Sequence, residues 1–311
     1  MKKHKICKIL LVILAIFLCV AFYELLGICV AYKKQPEVSN TTKKETKNGS
    51  WNECSENTER AVIIEKNPEA LLQRVRLIKN AKKEIILSTF AFQSDESGKL
   101  ILGALHDAAD RGVHIRLLVD GMESWIDMEG NPYFYGLSSH ENVEIKLYNK
   151  ANPLKPWKMM GRMHDKYLIA DGKRYILGGR NTYNYFLGDF PGHKNYDRDV
   201  LVVCDEPEKE NSVNQLSEYF ETIWNQEDSG YFHNNKKLAN RKSVKNAVLE
   251  LQNGYQKYFE ENKERICDTD YTDETFETEK IALVSNPIHT GSKEPVVWYQ
   301  LGELMKNAKN R

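Results

Sequence analysis

From Asn67 onward the chain alternates two periodicities, and this alternation limits the fold more than any other feature. The stretch "NPEALLQRVRLIKNAKK" places Asn67 as a helix cap and Pro68 in the first turn, with apolar residues at helical spacing behind them. "EIILSTFAF", which follows, is an apolar, β-branched run of strand length. A further helix, "SGKLILGALHDAADRG", ends at Gly112, and the strand "VHIRLLVD" succeeds it. Strands alternating with helices of this length predict an α/β domain built round a sheet covered on both faces. "VEIKLY" and "DRDVLVV" extend the sheet. Pro207 is expected to open a helix whose Tyr219, Phe220, Ile223 and Trp224 share one core-facing stripe.

Ahead of this domain, Ile9 to Tyr32 is apolar except at Glu24, and its 24 residues can cross a hydrocarbon layer as one helix. The run is long for the apolar part of a cleaved signal, and no small-x-small site follows it. Residues 1–32 are therefore expected to be a tail and an uncleaved membrane anchor. Lysines on both sides of it give no clear orientation. Residues 33–59, rich in Lys, Thr, Asn, Ser and Glu, read as a flexible tether. The net charge of zero over 311 residues conceals six lysines and one acid in the first 35, which leaves 38 basic and 43 acidic residues, or −5, for the remainder. That balance argues against a general nucleic-acid binder. Cys7, Cys19 and Cys29 lie in or beside the apolar run, and Cys54, Cys204 and Cys267 are widely spaced, which suggests neither a disulfide framework nor a zinc site.

The C-terminal end repeats an earlier pattern. Aligning "PVVWYQLGELMKNAK" from Pro295 with "PEALLQRVRLIKNAK" from Pro68 gives identities at the proline, at Gln73 and Gln300, at Leu77 and Leu304, and through "KNAK". An internal duplication is expected, with a first domain over 60–280 and a second copy starting near 281 and cut off at Arg311.

The chemistry is concentrated in "MHDKYLIADGKRYILGGRN", residues 163–181. An Asp-Gly pair between apolar runs signals a hairpin, so this segment reads as strand, Asp171-Gly172 turn, strand. Side chains alternate along a strand, which sets His164 and Lys166 on one face about 7 Å apart, where both can touch one phosphate. Neutral imidazole is a credible nucleophile toward phosphorus, and the lysine supplies positive charge as negative charge gathers on the oxygens. Gly178 and Gly179 allow close approach, and Asn181 can donate its amide to a phosphate oxygen. An acid has to hold the imidazole by its other nitrogen. Asp199 in "DRDVLVV" is the expected one, with Asp197 on the same strand face as the alternative, and Asp171 is expected to fix the turn.

These residues resemble a known family. "HDKYLIADGKRYILGGRN" is similar to the H-x-K-x4-D signature of the phospholipase D superfamily, with Gly179 where many members have serine. "GRMHDK", "GGRN", "DRDVLVV" and "YFETIWN" are most similar to the bacterial cardiolipin synthases, and "SNPIHTGSKEP" looks like the opening of their second repeat. The resemblance runs from about Arg60 to the end and covers the first half of a two-repeat protein. It implies a phospholipase D-like α/β fold, a mixed β-sheet flanked by helices, and a phosphatidyl transfer that uses no cofactor and no metal. His164 would attack the lipid phosphodiester, and Lys166 and Asn181 would hold the phosphate. A histidine of a second motif would protonate the leaving alcohol. An acceptor hydroxyl, for example that of another phosphatidylglycerol, would resolve the phosphatidyl-histidine. The implied partners are a phospholipid, the membrane and a second motif-bearing half, with no nucleic acid. This sequence holds no second H-x-K-x4-D, because His193-Lys194 lacks the spacing and His233 and His289 have no lysine two residues on. A truncated form of a longer protein is expected, or else two copies that complete one site together.

Three functions compete at this level: phosphatidyl transfer, phosphodiester hydrolysis of lipid or nucleic acid, and a catalytically incomplete half-repeat that serves as a membrane-tethered module. Two loops beside the motif, "KANPLKPWKMMGR" and "TYNYFLGDFPGHK", mix aromatic, apolar and basic residues. They read either as a membrane-facing mouth or, for Tyr183, Tyr185 and Phe186, as cover for the sheet edge.

Overall fold

In the computed structural model, residues 2–49, 59–204, 211–279 and 281–308 are described. The elements are α1 (Lys2–Ala31), α2 (Asn40–Asn48), β1 (Glu59–Ile64), α3 (Asn67–Asn80), β2 (Glu84–Thr89), α4 (Glu96–Asp110), β3 (His114–Asp120), α5 (Gly121–Asp127), α6 (Pro132–Ser138) and β4 (Val143–Tyr148). There follow β5 (Lys166–Ala170), β6 (Arg174–Gly178), β7 (Asp199–Cys204), α7 (Ser212–Trp224), β8 (Ser229–Tyr231), α8 (Lys242–Glu261), α9 (Lys263–Cys267), β9 (Phe276–Glu277) and α10 (Val296–Asn307). Pro207 and Cys54 lie outside the described residues; the helix expected from Pro207 is described from Ser212, capped by Asn211, whose side chain accepts the Asn214 N–H.

The chain divides into two compact units. The first gathers residues 1–48, 151–162 and 284–311. Its α1 contains the 28-residue stretch His4–Ala31, with an 18-residue window of mean hydropathy 2.9, long and apolar enough to cross a membrane. Pro156, in a 3-10 turn over Pro156–Lys158, lies against Gly27 so closely that a Cβ there would stand 2.4 Å from the proline ring. Part of the expected tether is helical. Ser39 accepts the Thr42 N–H at 3.2 Å and gives its own N–H to Glu294 at 2.8 Å, so α2 starts from a capped end that polar composition alone did not disclose. At the other end of the chain, α10 begins directly after Pro295.

The second unit, residues 49–150 and 163–283, holds a nine-stranded mixed sheet in the order β8-β4-β3-β2-β5-β6-β7-β1-β9. β2, β3 and β4 run parallel, joined by helices, and β5, β6 and β7 form an antiparallel meander beside them. Alternate residues serve opposite faces. Ile85 and Leu87 of β2 and Ile115, Leu117 and Val119 of β3 join the core with Val75 and Ile78 of α3 and Ile101 and Leu105 of α4. On the other face α7 covers the sheet: the Arg116 guanidinium lies 4.8 Å over the Phe220 ring, and the Lys146 ammonium 4.7 Å over Trp224. Both faces are thus covered, as strands with continuous apolar runs require.

Candidate active site

Four strand ends meet at one edge of the sheet. In the antiparallel ladders Thr89, the last residue of β2, faces Lys166, the first of β5, and Gly178, the last of β6, faces Asp199, the first of β7. The hairpin closes at the opposite edge, where Asp171 (φ 55°) and Gly172 (φ 62°) take the left-handed conformation of a type I′ turn. The Asp171 carboxylate accepts the backbone N–H groups of Lys82 (2.9 Å), Lys83 (2.7 Å) and Glu84 (3.0 Å). It ties the hairpin to the α3–β2 connection, and the length of β5, roughly 17 Å for five residues, separates it from Lys166.

His164 lies just before the strand, not in it, and its ring is exposed while Met163 and Lys166 beside it are buried. Met163 is fixed by its N–H, which donates to the buried Asp120 carboxylate at 3.1 Å; the other oxygen of Asp120 caps α5. Phe90, immediately after β2, meets the imidazole edge-on with ring centroids 4.6 Å apart. His164 is not strand-paired, and the long Lys166 side chain closes the distance between the two groups. The Lys166 Nζ donates to the His164 carbonyl oxygen at 2.8 Å and stands 3.2 Å from the imidazole Nδ1. Burial pulls the Lys166 ammonium down to about 8, against the opposing pull of the Asp165 and Asp197 carboxylates. Asp165 in turn accepts the Tyr219 hydroxyl at 2.8 Å, and burial holds that phenol far above its ordinary range, so it remains a donor.

The expected pairing of Asp199 with His164 is not made. Asp199 is buried, and one of its oxygens takes Arg74 at 2.9 Å and Arg180 at 3.3 Å, two guanidiniums that are themselves buried, while the other has no hydrogen-bond partner. A lone carboxylate between two buried cations is drawn to them rather than to an exposed ring. Asp197, ahead of β7, carries the charge that bears on Lys166, and its carboxylate fills the place a side chain at Gly179 would take: a Cβ there would stand 2.1 Å from Oδ2. Asn181 is buried and accepts the Ala91 N–H at 3.2 Å.

The exposed imidazole and the buried ammonium lie 3.2 Å apart, an arrangement in which both can contact one phosphate. Sequence places Tyr219 only in a core-facing stripe, whereas its hydroxyl serves Asp165, and it does not single out Phe90, Asp120, Arg74 or Arg180. Asp120-Gly121 at the end of an apolar strand carried a detectable cap signal, whereas Phe90 and Arg74 looked like ordinary strand and helix residues. Tyr183 contacts Tyr185 and Phe186, and Phe186 packs on the core while Tyr185 stays exposed, so this loop both covers the sheet edge and presents an aromatic outward. Among the described residues, no cluster of three or more His, Cys, Asp or Glu is placed to hold a metal ion.

The chain is similar to several known proteins. A family described as "Cardiolipin synthase, PLD-like domain" matches residues 74–224, which include every motif residue and α7. An uncharacterized protein of Helicobacter pylori strain J99 is 30% identical over 212 residues, covering 63% of this chain and 39% of that protein. Cardiolipin synthase C of Escherichia coli K12 is 30% identical over 154 residues, 45% of this chain and 31% of that enzyme. Among solved structures, a phosphatidylserine synthase of Haemophilus influenzae covers 79% of the chain, with 52% of its own length matched, at 15% identity and a TM-score of 0.46. The chain spans well under half the length of the curated relatives it matches.

Proposed function

The chain belongs to the phospholipase D superfamily and resembles its cardiolipin synthases, and we propose that it is a membrane-anchored phosphatidyltransferase of cardiolipin-synthase type. One observation carries the reading: the Lys166 ammonium stands 3.2 Å from the ring of an exposed histidine, so both reach one phosphorus centre.

The reaction proceeds in two displacements. The His164 imidazole attacks the lipid phosphodiester, an N–P bond forms, and the P–O bond to the headgroup alcohol breaks. The Lys166 ammonium, drawn off Nδ1 by the entering phosphate, neutralises charge on the phosphoryl oxygens, and the Asn181 amide donates to another. The leaving alkoxide takes its proton from a histidine of a second motif, supplied by a longer form of the protein or by a second copy of this one. An acceptor hydroxyl, such as that of phosphatidylglycerol, then attacks phosphorus, breaks the N–P bond and returns its proton to that histidine. Water in place of the acceptor gives the hydrolytic outcome. Asp171 and Asp199 support the scaffold in this reading, and Asp197 steadies the ammonium. The apolar α1 holds the chain at the bilayer that contains its substrate.

The test is capture of the intermediate. The chain, joined to or mixed with a second motif-bearing half in nanodiscs of phosphatidylglycerol labelled at phosphorus, should acquire a covalent phosphorus label that survives alkali and is lost in acid. His164→Ala should lose both adduct and transfer while keeping its circular dichroism. Wild-type transfer by that variant refutes the nucleophile.

A further inference from the structure

A cavity of about 650 Å³ opens in the second unit, lined by α4, the end of α6, the turn over Lys236–Asn240, and α8. It is separate from the edge that carries His164. Asp95, the cap of α4, lies beside the motif loop and accepts the Asn184 N–H at 2.7 Å, whereas His106 sits ten residues into the helix, about 15 Å along its axis.

The cavity has a distinctive polar floor. His140 accepts the Asn142 N–H at Nδ1 (3.1 Å), so its proton is on Nε2, which donates to Asp110 at 3.2 Å. The second Asp110 oxygen takes Nδ1–H of His106 at 3.0 Å. One carboxylate thus fixes both rings, which meet edge-to-face with centroids 5.4 Å apart. The remaining nitrogen, Nε2 of His106, has no hydrogen-bond partner among the described residues, although the side chain is only 9% exposed and lines the cavity. Nε2 therefore opens on the cavity, where a ligand that shares a proton with it can be held.

The walls and rim narrow what that is. Val244, Val248, Leu249 and Ala239 give an aliphatic wall. The exposed ammonium groups of Lys236 and Lys245 have no carboxylate partner among the described residues and outnumber the single lining acid, Glu141. The lining contains no Phe, Tyr, Trp or Arg, so it offers neither a stacking surface for a base nor a bidentate fork for a phosphate. We propose that this cavity binds a carboxylic acid with a single aliphatic chain, its acid group at His106 and its chain along Val244 and Val248. The lysines favour entry of the anion, one proton taken up from solvent lies between the carboxylate and Nε2, and the charge it brings to the ring is balanced by Asp110. The volume lies within the roughly 300–1,000 Å³ of small-molecule sites.

The full chain in phosphatidylcholine nanodiscs, irradiated with hexadecanoic acid carrying a diazirine near its methyl end, tests this. Peptide mass spectrometry should find the label in residues 236–249, displaced by unlabelled hexadecanoate and at least tenfold less well by lysophosphatidate or inorganic phosphate. Val248→Trp, which fills the cavity, should cut labelling about tenfold. The exposed pair Lys236→Glu and Lys245→Glu, which leaves the core untouched, should do the same. Label confined to α1, label unchanged in both variants, or equal displacement by either phosphate compound overturns the proposal.

Discussion

Replacing Lys166 with methionine should stabilise the fold at neutral pH while removing activity. The lysine is 5% exposed, its ammonium lies 5.4 Å from the Phe90 ring, and burial lowers it from 10.5 to about 8. A difference of that size is worth about 3 kcal/mol, the cost of keeping the proton in the folded state. Below pH 8 both folded and unfolded chains hold the proton, and the folded chain carries the whole cost. Between about pH 8 and 10.5 the folded chain has released it while the unfolded chain still binds it, so wild-type stability rises with pH; above 10.5 the cost is gone. Methionine keeps the apolar stem and removes the charge, but forfeits the hydrogen bond to the His164 carbonyl, about 1 kcal/mol. The variant should therefore be about 2 kcal/mol more stable at pH 7 and lose that advantage by pH 10.5. Urea unfolding of both full chains in one detergent, followed by circular dichroism at several pH values, measures the gap. A variant less stable at pH 7, or a gap that does not change with pH, would falsify the claim that a buried, desolvated ammonium waits for phosphate. The same proton sets activity: transfer by the wild type should decline above about pH 8 as Lys166 discharges.

Asp199→Asn should cost about 3–5 kcal/mol, because Arg74 and Arg180 then stay buried with no counter-charge; a shift in urea midpoint equivalent to under 1 kcal/mol would remove that structural role. Asp171→Ala, which strips three backbone N–H groups of their acceptor and puts alanine at φ 55°, should lower stability by about 2 kcal/mol. Transfer per folded molecule should be unchanged in that variant, and a specific loss of activity would bring Asp171 back into the chemistry. Gly179→Ala drives a Cβ into the Asp197 carboxylate, so its effect on transfer should be largely relieved when Asp197→Ala is added. Additive losses in that double-mutant cycle would mean the two positions do not share space.

The sequence determined what local rules can determine. Periodicity placed the strands and helices, because a stripe at 3.6 residues and a run of β-branched residues can be buried only in those forms. The Asp171-Gly172 pair marked the hairpin, since few other residues tolerate two successive left-handed conformations. Residue types and spacing at His164, Lys166 and Asn181 were enough to suggest phosphate chemistry, and the family match agrees. Composition misread residues 40–48, whose helix depends on Ser39 and on Glu294, far away along the chain.

Tertiary structure decided the partners. Which acid serves which cation follows from where buried charge can be neutralised, and Arg74, 125 positions before Asp199, could not be foreseen as its partner from a strand pattern. The shift of Lys166 likewise arises from its burial, because desolvation depends on what packs round a group and not on its neighbours in sequence.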